Sequence, residues 1–229
     1  MTERGLAGRR IIVLGGNGGL GHAVVGRLRA DGASVLVADA RPPRDADRRD
    51  DVDYVAVDAL DEASVSATFA LVPTAGAVVN LIGGYTPPQP LSALDVGVLR
   101  DQLDLNLVTA AIITKHALPL LAAQDGGPIV HVSSRVAAQT GENAFAYSVS
   151  KLGVVRLVEA AAAEGREHGV RVNCIMPSII DTPANRAALP NAKHDRWPKS
   201  SELAAVLAFL VSDDAILISG AAIPVYGRA

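Results

Sequence analysis

An apolar run, Ile11-Ile12-Val13, feeds directly into Leu14-Gly15-Gly16-Asn17-Gly18-Gly19-Leu20-Gly21, after which apolar residues recur with helical spacing. No other stretch restricts the fold so tightly. A buried strand that turns through closely spaced glycines into a helix leaves backbone N–H groups and the positive helix end facing outward. The missing Cβ atoms let a dinucleotide pyrophosphate come close. The spacing of Gly15, Gly19 and Gly21 is G-x-x-x-G-x-G rather than G-x-G-x-x-G. Gly15, Asn17, Gly18, Gly19, Leu20 and Gly21 are the expected cofactor-binding residues of this loop.

The rest of the chain has the organisation such a loop requires. Strand-like runs fall at Arg10–Leu14, Ser34–Asp39, Asp53–Val57, Ala77–Leu81, Ile129–Ser133, Arg171–Met176 and Ala222–Tyr226. Helical patterns fall at Gly19–Arg29, Asp61–Leu71, Asp95–Ala122, Ala144–His168 and Ser201–Ser212. This alternation predicts an α/β protein with a doubly wound, seven-stranded parallel sheet covered on both faces. Its 229 residues, without linker or repeat, read as one domain over 1–229. Arg41–Asp51, with Pro42, Pro43 and dense charge, is expected to be a solvated loop in place of a crossover helix. The proline-bearing stretch 182–200 reads as a substrate lid.

Composition removes several classes of function. A net charge of −3 and only 3% aromatic residues give no footprint for nucleic acid. The five histidines show no metal-ligand spacing, so no metal is expected. No uncharged apolar run reaches the length of a membrane span, and the polar start Met1-Thr2-Glu3-Arg4-Gly5 lacks the apolar core of a signal peptide. Cys174 is the only cysteine, which rules out an internal disulfide and fits a cytoplasmic protein.

Two further features carry chemistry. Asp39 closes the second strand, 18 residues after Gly21. A carboxylate there accepts hydrogen bonds from ribose hydroxyls and repels a 2′-phosphate, favouring NAD(H). Arg41 beside it is the residue that would instead accept NADP(H). Tyr147 and Lys151 stand at i and i+4 in a helical pattern, so they share a face, and a nearby ammonium favours phenolate.

In these residues the chain resembles the short-chain dehydrogenase/reductase family along essentially its whole length, which implies a Rossmann domain. Gly15, Gly19 and Gly21 match the family's glycine pattern, with Leu14 where a Thr is usual. Asp58, followed by Ala59, resembles the acidic residue that contacts adenine, and Asn80-Leu81-Ile82-Gly83 partly matches N-N-A-G. Asn106 is similar to the helix Asn, and Ser134 to the catalytic Ser, 13 residues before Tyr147. Pro177-Ser178 stands for the usual Pro-Gly, followed by Ile180 and by Thr182, which resembles the residue that holds the nicotinamide amide.

The resemblance implies hydride transfer between nicotinamide and a small carbonyl or alcohol. Tyr147 would be the acid/base and Lys151 the ribose ligand that favours phenolate. Ser134 would bind the substrate oxygen, and Asn106 would hold a relay water. Tyr85 and Trp197 are candidate walls for the substrate, Trp197 equally a lid anchor. Dihydropteridine reductase-like members share Gly83-Gly84-Tyr85, Asp181-Thr182-Pro183-Ala184-Asn185-Arg186, Pro190 and Trp197. Reduction of a pterin is therefore one alternative, although those members lack the Ser. A non-catalytic NAD-binding regulatory protein is another. The small-residue run Ala160–Ala163 and family habit imply a homodimer or homotetramer.

Overall fold

The computed structural model describes residues 5–228. Seven parallel strands form one sheet in the order β3-β2-β1-β4-β5-β6-β7. They are β1 Arg10–Leu14, β2 Ser34–Asp39, β3 Val52–Ala56, β4 Ala77–Asn80, β5 Gly127–Val132, β6 Val170–Pro177 and β7 Ala222–Val225. The winding reverses between β1 and β4, which opens a crevice beyond their C-terminal ends.

Both faces of the sheet are covered, so its central strands are apolar on both sides. Ile11, Val13, Val35 and Val37 face α1 (Gly21–Ala30) and α8 (Ser200–Leu210), packing with Val24, Leu28, Leu203 and Leu207. Ile12, Leu14 and Leu36 face α2 (Glu62–Ala70), α4 (Thr109–Ala122) and α6 (Phe145–Gly165), with Phe69, Ile113, Leu121 and Val158. Near the C-terminal edge, Ala38, Leu14, Asn80, His131, Cys174 and Ala222 stand side by side across six strands. They form one row on this second face.

The β2–β3 crossover carries only a short 3-10 turn at Asp45–Asp47, as its prolines and charge imply. The region read as one helix over 95–122 is divided. Helix α3 (Val96–Leu103) runs into a π-turn at Asp104–Val108 before α4 begins. The apolar side of this long stretch belongs to the core, with Ile113, Ala117 and Leu121 fully buried. Two short helices add to the sequence reading: α5 (Arg135–Ala138), capped by Ser134, and α7 (Pro183–Ala188), capped by Thr182.

Candidate active site

The glycine loop is tight because its glycines have no room for a side chain. A Cβ on Gly21 would stand 2.3 Å from the Gly16 carbonyl oxygen, and one on Gly16 would stand 2.8 Å from Val37 Cγ1. Gly15 adopts φ +76°, a left-handed conformation that glycine takes without strain. Leu14, in place of Thr, is fully buried and supplies no polar support. Other bonds hold the loop: Gly15 N–H donates to Ala38 O (2.8 Å), and Asn17 Nδ2 donates to Arg41 O (2.7 Å). Asn17 N–H also donates to Asp39 Oδ2 (3.0 Å), while Arg41 N–H donates to Asp39 Oδ1 (3.2 Å).

Helix α1 begins at this loop with no side-chain cap at Leu20 and no acidic residue in its first turn. An uncapped, electropositive helix start beside a cradle that Cβ atoms would fill fits a pyrophosphate. Asp39 ends β2 directly beside this loop. Asp58 turns its Oδ1 to the Leu60 N–H (3.0 Å), next to the buried Ala59, on the neighbouring strand exit. Across the crevice, Thr182 comes close to Gly19, whose Cβ would stand 3.2 Å from Thr182 Cγ2. Thr182 Oγ1 accepts from Asn185 N–H (3.2 Å), Asn185 Nδ2 donates to Ile180 O (2.8 Å), and Pro177 ends β6.

The four catalytic candidates converge at the ends of β4 and β5. Ser134, whose Oγ accepts from Val136 N–H (3.4 Å), lies beside the Tyr147 phenol, and Lys151, only 4% exposed, donates from Nζ to Val132 O (3.0 Å). Lys151 Nζ lies 6.0 Å from the centre of the Tyr147 ring. Gly83 makes this packing possible, since a Cβ there would stand 2.7 Å from both Lys151 Nζ and Asn106 Oδ1. Asn106 occupies the π-turn, a local break in the helical ladder that re-aims its side chain. Its Oδ1 accepts from Gly84 N–H (3.0 Å), and its Nδ2 faces Gly84 O (3.0 Å), Gln102 Oε1 (3.2 Å) and Ser150 Oγ (3.1 Å).

The electrostatics differ in one respect from the sequence reading. Burial raises the Tyr147 phenol above its ordinary value near 10, outweighing the Ser134 hydrogen bond that lowers it, and Tyr85 adds to the rise. The ammonium was expected to favour phenolate, but depth dominates. Burial also pushes Lys151 down to about 8. Tyr147 is thus a neutral proton donor at neutral pH.

Tyr85, 64% exposed, stands edge-on to Tyr147 at 5.3 Å and forms one wall of the entrance. Trp197 is 7% exposed, with its ring 4.6 Å from that of His194, which is the anchor position and offers little surface to a substrate. The stretch 182–200 is pinned at its base: Asp181 N–H donates to Pro198 O (2.9 Å), and Asp181 forms a parallel bridge with Lys199. Arg186 closes a two-pronged ion pair on Asp181, which holds that carboxylate below its ordinary range. Ser178 Oγ donates to Tyr226 O (2.7 Å), tying the exit of β6 to the segment after β7. A hollow of about 1040 Å³ lies far from this chemistry. It is lined by the first residues of β1, β5 and β6 at the opposite end of the sheet.

Beneath the site, Asn80 Nδ2 faces His131 Nδ1 (3.2 Å), and Thr114 Oγ1 faces His131 Nε2 (3.0 Å). Burial, and secondarily the charge of Lys151, push His131 from 6.5 down to about 4. The unfolded chain therefore takes up a proton near pH 6.5 that the folded chain refuses until about pH 4. Stability will be full above pH 6.5 and will drain as pH falls towards 4, by on the order of 3 kcal/mol. Urea unfolding at pH 7, 6, 5 and 4 will show this loss, and His131→Asn will reduce it.

Several of these residues carried no signal of their own in the sequence. Thr114 and His131 meet only through tertiary packing. Gln102 was reachable, because it precedes Asn106 by one helical turn and so shares its face.

A glycine cradle under an uncapped helix, with Ser, Tyr and Lys gathered where the strand order reverses, defines a nicotinamide-dependent dehydrogenase site. The short chain dehydrogenase family model matches residues 9–193, and the chain belongs to that family. The cis-4-hydroxycyclohexanecarboxylate dehydrogenase of Sinomonas cyclohexanicum is 34% identical, over 96% of each chain. The 7alpha-hydroxysteroid dehydrogenase of Bacteroides fragilis is 28% identical, over 95% of this chain and 92% of its own. Levodione reductase superposes with a TM-score of 0.90 at 25% identity, covering 97% of each chain. The protein is accordingly an oxidoreductase that transfers hydride with an NAD(P) cofactor on a small-molecule substrate, and the non-catalytic alternative falls away.

Proposed function

We propose that the protein is an NAD(H)-preferring dehydrogenase of cyclic secondary alcohols and the corresponding ketones. The observation that carries the reading is Tyr147 packed over the buried Lys151, whose Nζ lies 6.0 Å from the phenol ring, with Ser134 beside the phenol. With Ser134 beside the phenol, a carbonyl oxygen bound there would accept from both the Ser134 and Tyr147 hydroxyls. Tyr147 gives its proton to that oxygen in reduction and takes up the alcohol proton in oxidation. Lys151 sits where a ribose hydroxyl comes within reach, and Asn106 keeps Gly84 in place below Tyr85. Bound nicotinamide supplies or accepts the hydride.

A retained Ser134 favours a carbonyl or alcohol over a pterin, which has no such oxygen to orient. Cyclic substrates are supported by relatives named for hydroxycyclohexanecarboxylate, a hydroxysteroid and borneol. The exposed ring of Tyr85 beside Tyr147 offers an apolar wall to such a substrate. Assays of cis-4-hydroxycyclohexanecarboxylate, a 7α-hydroxysteroid and borneol with NAD⁺, followed as NADH absorbance, test this. Turnover of straight-chain alcohols alone would refute the cyclic class.

Asp39 supports the cofactor preference, since its carboxylate is held beside the glycine loop by two backbone N–H groups. NADH will bind tighter than NADPH by about tenfold or more, because a 2′-phosphate beside a carboxylate is repelled. Asp39→Ala will narrow that gap. Fluorescence titration reads both, and tighter NADPH binding, with Arg41 as the phosphate ligand, would overturn the assignment. We further infer a cytoplasmic homodimer or homotetramer, supported by exposed Val108 and Leu152 on the helical layer; light scattering tests the assembly.

A further inference from the structure

We propose that His131 is a positioning residue: as the neutral Nε2–H tautomer it fixes the Asn80 amide, and through it the turn that separates the glycine loop from Lys151 and Asn106. The tautomer is assigned from donors whose direction is not in question. Ile82 N–H donates to Asn80 Oδ1 (3.0 Å), and a backbone N–H can only donate, so the amide oxygen faces Ile82. Asn80 Nδ2 then faces His131 Nδ1, which must accept. On the other side, Thr114 spends its hydroxyl hydrogen on Ala110 O (2.7 Å), so its oxygen is free to accept from Nε2–H. Each polar atom is used once. A proton on Nδ1 would set donor against donor and turn Asn80 away from Ile82.

The turn held in this way is confined on both sides. Leu81 N–H donates to Leu14 O (2.9 Å), and a Cβ on Gly15 would stand 3.0 Å from Ile82 N. Immediately after it, Gly83 lies under Lys151 Nζ and Asn106 Oδ1. A turn that swings by a fraction of an ångström presses on the cofactor cradle or on the catalytic ammonium. Displacements of this size cost rate even when the moving residue never touches substrate. His131 thus acts through Asn80. The inference rests on reading the crevice as a nicotinamide site.

Three substitutions separate positioning from mere filling of the core. An Asn oxygen at 131 takes the place of Nδ1 and keeps the acceptor for Asn80, whereas a Gln amide reaches towards Thr114 instead. His131→Leu removes both partners. His131→Asn is expected to keep NADH affinity and kcat near wild type. His131→Gln and His131→Leu are expected to weaken NADH binding and lower kcat by about ten- to a hundredfold. Equal losses in all three, or native behaviour in His131→Leu, would overturn the proposal.

If His131→Leu does not fold, the contrast between His131→Asn and His131→Gln decides. A long-range ¹H–¹⁵N spectrum of the wild-type protein at pH 7 reads the tautomer directly. Nε2–H with bare Nδ1 is expected, and a protonated Nδ1 would sink the idea. That spectrum needs no cofactor. Failure of the wild-type protein to bind NADH or NADPH would overturn the functional reading, while the tautomer result would still decide the arrangement around His131.

Discussion

Replacing Tyr147 with Phe will lower turnover of a cyclic ketone by about 10²- to 10⁴-fold while leaving NADH affinity and the circular dichroism spectrum unchanged. The substitution keeps the ring that Tyr85 packs against and removes only the hydroxyl shared with Ser134. Burial holds that phenol protonated well past neutrality. Reduction, which needs the proton, will therefore run at full rate at neutral pH. Oxidation, which needs the base, will rise with pH through the alkaline range. Kinetics in both directions between pH 6 and 10 will show the two profiles diverge, and an undiminished Tyr147→Phe enzyme would remove Tyr147 from its role.

Gly21→Ala will abolish measurable cofactor binding. A Cβ at this position would stand 2.3 Å from Gly16 O and 2.7 Å from Gly15 O, and both obstacles are backbone, which cannot swing aside. The loop has to unfold locally to admit the methyl group, and the pyrophosphate cradle goes with it. Gly18→Ala is the control, since the nearest atom to its Cβ is 3.6 Å away and the loop need not move. NADH titration should find no binding by the first protein and clear binding by the second. Near-native binding by Gly21→Ala would show that the loop relaxes in some other way.

Features written within a few consecutive residues were legible in the sequence. The glycine loop, the Tyr147–Lys151 pair on one helical face and the apolar runs of all seven strands belong to this group. The π-turn at Asp104–Val108 was not legible, because helical periodicity continues on either side of it. What supports it is a set of bonds from Asn106 to Gly84 and Ser150, far away in the chain. Helix α7 was hidden by the prolines around it, although Pro183 directly after Thr182 is an ordinary way to start a helix. The sign of the Tyr147 shift also escaped, since adjacency to Lys151 is visible in sequence and depth beneath the surface is not.

The bridge between Asp181 and Lys199 has an evolutionary consequence. Chain that leaves and re-enters the body of the protein at one fastened point is a cassette. The residues between can lengthen, shorten or change character while the strands below keep their register. Ser134, Tyr147, Lys151 and Asn106 stand on the sheet and its flanking helices, whereas the chain between Asp181 and Lys199 is held by that bridge, by the buried Trp197 and by Arg228. Change confined to this segment can therefore leave the strands and the residues they carry undisturbed.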